Sequence, residues 1–440
     1  MEKLLGSEYS PFVEGLQRSP PTSIRLNPFK QKFVGDNTNK NISKFDNDEK
    51  IEWCENGRYL KERPSFTFDP LFHAGTYYVQ EASSMFIEQV WKQINPNNET
   101  VRVLDMCAAP GGKSTHLLSL MNEESLLVSN EVISNRNNIL QQNVVKWGTP
   151  NCIVTQNKPE DFSKLEDYFD IILVDAPCSG EGLFRKDKNA IDEWSEKNVE
   201  MCSIRQKEIL KYAASCLKPG GFLIYSTCTF EPEENDNNIE WLKELQIIKY
   251  KLRIEHPGIT STKNGFQFYP HKTKGEGFYI AVMQKETSDI RHQTSDKLKQ
   301  TTNDKHQSII YLKDAGGFME HKKNEMLFAI PTSLYPNFLF LEKQLYIRHA
   351  GIFIGTTKGK DFLPSHDLAL SNYIKHDLPS VELNYDEAIS YLRSEAPKLK
   401  TEIRGWCLAK YENMNLGWMK ALEGRINNYY PKELRILKQA

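Results

Sequence analysis

Two cysteines of this sequence follow runs of residues that are typical of buried strands. Cys178 lies in DAPCSG (175–180) and Cys228 lies in YSTCTF (225–230). The chain has eight cysteines and no C-x-x-C pair, a pattern that favours neither a disulfide scaffold nor a zinc site. The thiols are therefore expected to be reduced, and a thiolate at the end of a strand is a candidate nucleophile for covalent catalysis.

A free cysteine is often no more than a small buried apolar residue. We apply that interpretation to Cys152, Cys202 and Cys216, which are predicted to pack in the core. It explains Cys178 and Cys228 less well, because each comes after the last residues of a strand rather than from its middle.

The elements that would position the two thiols alternate between strand and helix. The five predicted strands are VRVLDMC (101–107), SLLVSNE (125–131), NCIVTQN (151–157), FDIILVDAPC (169–178) and FLIYSTC (222–228). Apolar residues at helical spacing predict helices between them, among others over 135–148 and 196–217. The alternation predicts an α/β fold with a parallel sheet covered on both faces, in which the fourth and fifth strands are neighbours. GFQFYPH and GFYIAVMQK would add an antiparallel pair at one edge.

In such a sheet, ligands bind outside the carboxyl ends of the strands. The residues predicted to gather there are Asp105, Cys107, Glu131, Asp175, Cys178 and Cys228. The turn APGG after the first strand would point backbone N–H groups at a ligand. CAAPGGKS is not a phosphate-binding loop, because position 107 is Cys where that motif needs Gly, and no G-x-G-x-x-G is present.

Glu131 ends the second strand, twenty residues after Gly111. A carboxylate at that position can accept hydrogen bonds from both hydroxyls of a ribose. The predicted ligand is therefore an adenosine-type nucleoside whose other end is not a triphosphate, and S-adenosylmethionine fits this description.

Three stretches of the middle region resemble the signature motifs of the Sun-type RNA cytosine-C5 methyltransferases. They are DMCAAPGGKS, DAPCSGEGLFRKD and YSTCTFEPEEN. SIRLNPFK (23–30), YYVQEASSM (77–85) and HKTKGEGFYIA (271–281) are similar to other elements of the family, and RINNYYPKELRI (425–436) is similar to the C-terminus of its bacterial members that modify 16S ribosomal RNA. The resemblance is weakest between 290 and 400.

The resemblance implies a Rossmann-like, S-adenosylmethionine-dependent methyltransferase domain between two other regions. An N-terminal α+β domain of RNA-binding type would span 1–95, and the methyltransferase domain would span 96–285. The polar stretch 286–307 is predicted to be a linker. Residues 308–440 would hold a C-terminal, PUA-like RNA-binding domain.

The resemblance also implies catalytic roles. Cys228 would attack carbon 6 of a cytosine, and Cys178 would assist release of the methylated base. Asp175 would hydrogen-bond N3 and N4 of the base. Lys113 would either favour the Cys228 thiolate or orient its own loop.

By the same resemblance, the cofactor would contact the turn after the first strand, Glu131 and Asp175. The turn residues are Cys107, Ala108, Ala109, Pro110, Gly111, Gly112 and Lys113. Where the family often has Asp after the third strand, this chain has TQNKPEDF, so Asn157 or Asp161 would meet the adenine.

The predicted substrate is RNA: 16S ribosomal RNA, possibly within the small subunit, from the likeness of the tail, with transfer RNA as the alternative. The net charge is −2, but residues 400–440 hold eight Lys and Arg against four Glu. That excess is compatible with phosphate contact and also with an ordinary solvated surface. The candidates for RNA contact are Arg25, Asn27, Arg185, Lys186, Tyr429 and Tyr430.

We expect a cytoplasmic monomer with neither a metal site nor a membrane span. No run of eighteen apolar residues is present, and the N-terminus lacks the basic flank and apolar core of a signal peptide. The alternative to an enzyme is an RNA-binding scaffold that keeps S-adenosylmethionine as a structural ligand. A methyl-transfer assay on RNA distinguishes the two.

Overall fold

The computed structural model describes residues 1–31, 45, 48–287, 309–359, 361–395 and 401–438. From residue 288 onward, the predicted linker lies outside the described residues. Within the described ranges, no helix combines the length and the apolar character that crossing a membrane requires.

The N-terminal part is an antiparallel sheet flanked by short helices. Its strands are β1 (Thr22–Leu26), β2 (Glu49–Ile51), β3 (Cys54–Leu60) and β4 (Tyr77–Val79), in the order β2-β3-β1-β4. Its helices are α1 (Glu2–Leu5), α2 (Tyr9–Gln17), α3 (Pro28–Gln31), α4 (Pro70–His73) and α5 (Ile87–Ile94). The central strand β1 is buried over almost its whole length, so its polar side chains lie inside the molecule.

The middle part forms the central sheet. Its parallel strands are β5 (Arg102–Asp105), β6 (Leu126–Asn130), β7 (Cys152–Thr155), β8 (Phe169–Asp175) and β9 (Leu217–Thr227). Antiparallel strands follow: β10 (Ile247–Lys249), β11 (Ile259–Ser261), β12 (Phe266–Phe268) and β13 (Phe278–Lys285). The helices are α6 (Gly112–Leu120), α7 (Ser134–Trp147), α8 (Lys188–Glu193), α9 (Glu196–Cys216) and α10 (Asp236–Leu242).

The predicted α/β architecture is confirmed, including the pairing of the fourth and fifth parallel strands. The apolar side chains of the parallel strands pack alternately into two large core clusters, one on each face of the sheet. Cys152, Cys202 and Cys216 are buried in the core, as predicted. Strand β9 begins at Leu217, earlier than the predicted residue 222, because Leu217 already pairs with Phe169 and the register shift that follows accommodates Gly220 and Gly221.

The C-terminal part adds two further sheets. The first contains β14 (Phe318–Lys323), β15 (Met326–Pro331), β17 (Ile352–Lys358) and β18 (Asp361–Pro364); the second contains β19 (Ser380–Glu382), β20 (Gly405–Tyr411), β21 (Met414–Leu422) and β22 (Arg425–Asn428). Helices α11 (Tyr335–Gln344), α12 (His366–Leu370) and α13 (Tyr385–Leu392) accompany them. Strand β16 (Ile347–Ala350) belongs to neither of these two sheets; it pairs antiparallel with β7 of the central sheet. In the described residues, the central sheet therefore has ten strands, in the order β11-β12-β13-β9-β8-β5-β6-β7-β16 with β10 beside β13.

The second C-terminal sheet packs on the N-terminal part. One core cluster contains Ile24 and Tyr77 of the N-terminal sheet together with Met419 of β21, Ile389 of α13 and Tyr430, which follows β22. The C-terminal residues therefore complete a core that begins near the N-terminus, and they are not an appendage.

Candidate functional site

A cavity of 1070 Å³ lies at the carboxyl ends of the parallel strands. Its wall includes the six residues that the sequence predicted to gather there: Asp105, Cys107, Glu131, Asp175, Cys178 and Cys228. Residues of the N-terminal part, among them Tyr78 and Glu81, also line the cavity. The volume is at the upper end of the range for small-molecule sites, so it can hold a cofactor and part of a second ligand.

The two thiols meet in the wall of this cavity. Asp175 pairs with Ser226 across strands β8 and β9, so the residues that follow both strands project to the same place. The sulfur atoms of Cys178 and Cys228 lie 3.1 Å apart, and the Cys228 backbone N–H donates to Cys178 Sγ at 3.4 Å. The hydrogen bond with Cys228, together with burial, raises the pKa of Cys178 well above its ordinary value, so Cys178 is a thiol at neutral pH.

Lys113 brings a positive charge to the thiols. Its Nζ lies 2.7 Å from Asp175 Oδ2, and Asp175 Oδ1 accepts a hydrogen bond from Ser226 Oγ at 2.7 Å. Burial disfavours the charge of Lys113, but the Asp175 carboxylate outweighs it, and the pKa of Lys113 is raised. The ammonium group is therefore permanently charged, and a Cys228 thiolate also favours that charge.

A buried hydrogen-bond network, which the sequence analysis did not predict, fixes the loop of Cys178. The Glu234 carboxylate is fully buried and accepts hydrogen bonds from the Ser179 backbone N–H at 3.1 Å, the Ser179 hydroxyl and Gln206 Nε2 at 2.6 Å. Gln206 also donates to the Pro177 carbonyl at 2.9 Å. The position of Glu234 in YSTCTFEPEEN, six residues after Cys228, was the available signal.

The turn after β5 is held in one conformation by its neighbours. Gly111 has a φ of 108°, in the left-handed region that favours glycine, and an added Cβ would lie 3.2 Å from Leu140. Arg136 Nη2 donates to the Ala109 carbonyl at 3.0 Å, and Asn143 Nδ2 donates to the Pro110 carbonyl at 2.8 Å. The turn is therefore rigid before any ligand arrives.

Glu131 also lies in the cavity wall. Its side chain is 4% exposed; Oε1 accepts from the Ile133 N–H at 2.9 Å, and Oε2 lies 3.3 Å from Arg136 Nη1. A carboxylate has about four acceptor positions, so two protein contacts leave room for two hydroxyl donors. Glu131 thus has the chemistry and the spare capacity to bind a ribose.

Asn157 and Asp161 are not brought to the cavity wall. The Asn157 amide is occupied by the Tyr346 backbone, to which Nδ2 donates at 3.1 Å and from which Oδ1 accepts at 2.9 Å. Asp161 caps a short helix by accepting from the Lys158 N–H at 3.1 Å. The neighbouring residues 158–160 line the cavity instead, and a contact of Asn157 or Asp161 with the adenine stays a prediction.

Three of the candidates for RNA contact are interior residues, so these predictions were wrong. Arg25 is 1% exposed, donates to Gln80 Oε1 at 2.8 Å and Thr115 Oγ1 at 2.7 Å, and stacks 4.4 Å above the Trp147 ring. Asn27 is fully buried. Tyr430 is buried in the shared core. Arg25 therefore joins the N-terminal sheet to helices α6 and α7.

The other three candidates differ from one another. Arg185 is 5% exposed and donates to the carbonyls of Arg18, Ser19 and Gly275, so it too is a structural residue. Lys186 is 37% exposed and lines the cavity. Tyr429 is 38% exposed on the C-terminal sheet. Lys186 and Tyr429 remain available to RNA.

Comparison with protein-family models gives three matches along the chain. Residues 92–284 match the family described as 16S rRNA methyltransferase RsmB/F. Residues 1–82 match the N-terminal domain of 16S rRNA methyltransferase RsmF, and residues 378–436 match the methyltransferase RsmF PUA domain.

Curated relatives match over most of their length. The chain is 31% identical to ribosomal RNA small subunit methyltransferase F of Shewanella loihica, over 88% of this chain and 83% of the relative. It is 30% identical to the protein of the same name from a strain of Escherichia coli, over 97% of this chain and 92% of the relative.

Solved structures match the fold. A methyltransferase homolog from Pyrococcus horikoshii is 28% identical, with a TM-score of 0.53, over 64% of this chain and 91% of that one. NSun6 from Pyrococcus horikoshii, solved with SFG, has a TM-score of 0.53 at 22% identity, over 65% of this chain and 97% of that one.

Proposed function

The chain belongs to the 16S rRNA methyltransferase RsmB/F family, and on that premise we propose that it methylates carbon 5 of a cytosine in 16S ribosomal RNA through a covalent bond from Cys228. The methyl donor is S-adenosylmethionine. The observation that carries the proposal is the pair of thiols 3.1 Å apart in the wall of the cavity. One thiol can form the covalent bond to the nucleobase. The second thiol can act as the proton acceptor that allows this bond to break.

The first step makes carbon 5 nucleophilic. The Cys228 thiolate adds to carbon 6, the C5–C6 double bond breaks, and its electron pair becomes available at carbon 5. Bound S-adenosylmethionine supplies an electrophilic methyl group, which carbon 5 takes while the bonding electrons stay on the donor sulfur. Lys113 stabilises the attacking thiolate, and the Asp175 carboxylate accepts a hydrogen bond from the 4-amino group at the N3 and N4 edge of the ring.

The second step releases the product. A base removes the proton from carbon 5, the electron pair re-forms the C5–C6 double bond, and Cys228 leaves as a thiolate. We assign the base to Cys178, because its sulfur lies 3.1 Å from that of Cys228 and would be near carbon 5 once Cys228 is bonded to carbon 6.

The contact between the thiols supports this order of events. The hydrogen bond to Cys228 is the first cause of the raised pKa of Cys178. When Cys228 bonds to carbon 6, that hydrogen bond is lost, and the pKa of Cys178 is expected to fall. Cys178 can then release its proton to water in the cavity and accept the proton from carbon 5.

The cofactor is proposed to lie along the wall from Glu131 to Asp175. Glu131 would accept from both ribose hydroxyls, and the backbone of residues 107–113 would contact the methionine end. The adenine would lie against residues 158–160. Asn157 is proposed to support that wall indirectly, by holding residue 157 against the Tyr346 backbone.

The target cytosine must be unpaired or flipped out of a duplex, because pairing and stacking hide carbon 6. The PUA domain matched at 378–436 is proposed to hold the surrounding RNA. We also propose that the protein acts as a monomer in the cytoplasm, with the domain divisions at 95 and 285 and a linker to 307.

Bisulfite sequencing of 16S ribosomal RNA tests the proposal. RNA from a strain that lacks the protein is incubated with S-adenosylmethionine and either the wild type or Cys228→Ala. We expect new 5-methylcytosine with the wild type alone. Methylation at another atom, or of transfer RNA but not 16S RNA, would overturn the proposal.

A further inference from the structure

Glu276 is a buried carboxylate in the cavity wall that the steps above do not use. Its side chain is 4% exposed, and among the described residues no donor lies within hydrogen-bond distance of either oxygen. Burial raises the pKa of Glu276. A buried acceptor without a donor is costly, and a ligand that supplies a donor would recover that cost.

The cations near Glu276 stabilise its charge without satisfying its oxygens. Arg185 Nη1 lies 3.7 Å from Oε2, and Lys186 Nζ lies 3.6 Å from Oε1. The Arg185 guanidinium already donates to three backbone carbonyls. The two cations thus lie just beyond hydrogen-bond distance, and both oxygens of Glu276 have acceptor capacity left for a ligand.

A second carboxylate in the same wall gives a contrast. Glu81 accepts hydrogen bonds from the backbone N–H groups of Ser83 and Glu276 at 2.9 Å and of Ser84 at 2.8 Å. The oxygens of Glu81 are thus used to hold the backbone of the cavity wall in place. Glu276 has no such task, so its carboxylate is left for a ligand.

The position of Glu276 is on the nucleophile's side of the cavity. The next residue, Gly277, packs on Gly182: a Cβ on Gly182 would lie 2.6 Å from the Gly277 carbonyl and 3.2 Å from Cys228 Cβ. The Gly182 N–H also donates to the Cys228 carbonyl at 2.6 Å. Gly277 and Gly182 therefore connect Glu276 to Cys228 through direct contacts.

We propose that Glu276 is a specificity-determining residue that accepts a hydrogen bond from the target nucleotide. This inference rests on the proposed function, which puts a cytidine beside Cys228. A cytidine within RNA offers two kinds of donor, the 4-amino group of the base and the 2′-hydroxyl of the ribose. The first distinguishes cytosine from uracil, and the second distinguishes RNA from DNA.

The test compares three RNAs that differ at one nucleotide. The 16S RNA is rebuilt by ligation with cytidine, 2′-deoxycytidine or a pyrimidinone riboside without the 4-amino group at the methylated position. Binding is measured with the full chain carrying Cys228→Ala, so that no covalent bond forms, and again with Glu276→Ala or Glu276→Gln added. Glu208→Gln, which removes an exposed carboxylate from the rim of the same cavity, is the matched control.

With Glu276 present, we expect one of the two altered nucleotides to bind about 10-fold more weakly than cytidine. The ratio of the dissociation constants of the altered RNA and the cytidine RNA should fall below about 2-fold in Glu276→Ala and take an intermediate value in Glu276→Gln. It should stay unchanged in Glu208→Gln. The nucleotide that shows the effect identifies the donor.

Two results have different meanings. If every ratio is the same with and without Glu276, while S-adenosylmethionine still binds, Glu276 serves only the charge of Arg185 and the inference is wrong. If the wild type forms no 5-methylcytosine in the bisulfite assay, the proposed function has failed instead.

Discussion

Helix α6 contributes to two clusters that contain the same kinds of side chain. The open cluster consists of Lys113, Asp175, Cys178 and Cys228 and lies in the cavity wall. The buried cluster consists of His116, Cys54 and Glu88, whose side chains bring one nitrogen, one sulfur and one oxygen within 4.8 Å of one another. Each cluster has a thiol, a carboxylate and a basic group, yet their chemistry differs.

The difference comes from access and charge. His116 Nε2 lies 3.3 Å from Glu88 Oε2 and 3.8 Å from Cys54 Sγ, and Lys92 Nζ lies 2.7 Å from Glu88 Oε1. Burial raises the pKa of Cys54 to about 12 and lowers the pKa of His116 to about 4. At pH 7 the thiol is protonated and the imidazole is neutral. The open cluster instead has a charged Lys113 and an opening to ligands, which is what a nucleophile needs.

The largest expected effect is that of removing the Cys228 thiol. Cys228→Ala should lower methylation of 16S RNA to background and form no covalent RNA complex, because the group that bonds to carbon 6 is gone. Tritium transfer from S-adenosylmethionine measures the rate. Cys54→Ala is the matched control from the buried cluster and should keep at least half of the wild-type rate. An equal loss of methylation rate in Cys228→Ala and Cys54→Ala would mean that the two clusters do not differ in function.

Removal of the second thiol should slow product release and not attack. Cys178→Ala should reduce turnover by about 10²- to 10⁴-fold, the usual contribution of a general base, and accumulate a covalent enzyme–RNA complex. Denaturing gel electrophoresis separates that complex from free protein. A complex in Cys228→Ala and none in Cys178→Ala would mean that the two roles are reversed.

Glu131 and Glu88 extend the comparison to carboxylates, because each is buried beside a cation. Glu131 faces the cavity, so Glu131→Ala should weaken S-adenosylmethionine binding by roughly 1.5–3 kcal/mol, or about 10- to 150-fold, through loss of charge-assisted hydrogen bonds. Isothermal titration calorimetry measures this affinity. Asp161→Asn, which lies outside the cavity wall, should leave it unchanged. An unchanged affinity in Glu131→Ala would contradict the ribose assignment.

The sequence could predict the open cluster because each part of it is local. An apolar run marks a strand, the residues after it lie at the carboxyl edge, and adjacent parallel strands bring Cys178 and Cys228 together. The apolar runs of β5 to β9 carry that information without any long-range contact.

The sequence says less about residues whose surroundings come from distant parts of the chain. Arg25 looked like a phosphate contact, but its partners Thr115 and Trp147 are about ninety or more residues away. Asn157 looked free to meet adenine, but it is paired with Tyr346, 189 residues further on. No local sequence pattern predicts contacts between residues so far apart in the chain.

The C-terminal tail is a third example. Its excess of Lys and Arg over residues 400–440 indicated either phosphate contact or a solvated surface, and neither interpretation predicts packing on the N-terminal part. Met419 and Tyr430 share a core with Ile24 and Tyr77, so deletion would expose the N-terminal part as well. RNA binding by the tail is better tested with exposed residues such as Arg425 and Arg435.

The smallest expected effect belongs to the buried cluster and appears in stability alone. His116 has a pKa of about 4 in the folded protein, lowered from 6.5 by burial. Below pH 6.5 the unfolded chain binds a proton at this residue while the folded protein does not. The free energy of unfolding therefore keeps its full value, as far as His116 is concerned, above pH 6.5 and decreases as the pH falls towards 4. Each pH unit in that window costs up to about 1.4 kcal/mol.

When the pH is lowered from 7 to 5, the free energy of unfolding should therefore fall by about 2 kcal/mol more in the wild type than in His116→Gln. The glutamine keeps a donor for Glu88 but does not titrate. Denaturant unfolding at the two pH values gives the difference, and the comparison with His116→Gln cancels the other buried histidines, such as His349 and His366. At pH 7 the variant should methylate RNA within about 2-fold of the wild-type rate, since nothing in the buried cluster contacts the cavity. A variant that loses more stability than the wild type on acidification would mean that His116 is charged and ion-paired with Glu88. The two clusters would then differ in access to ligands but not in charge.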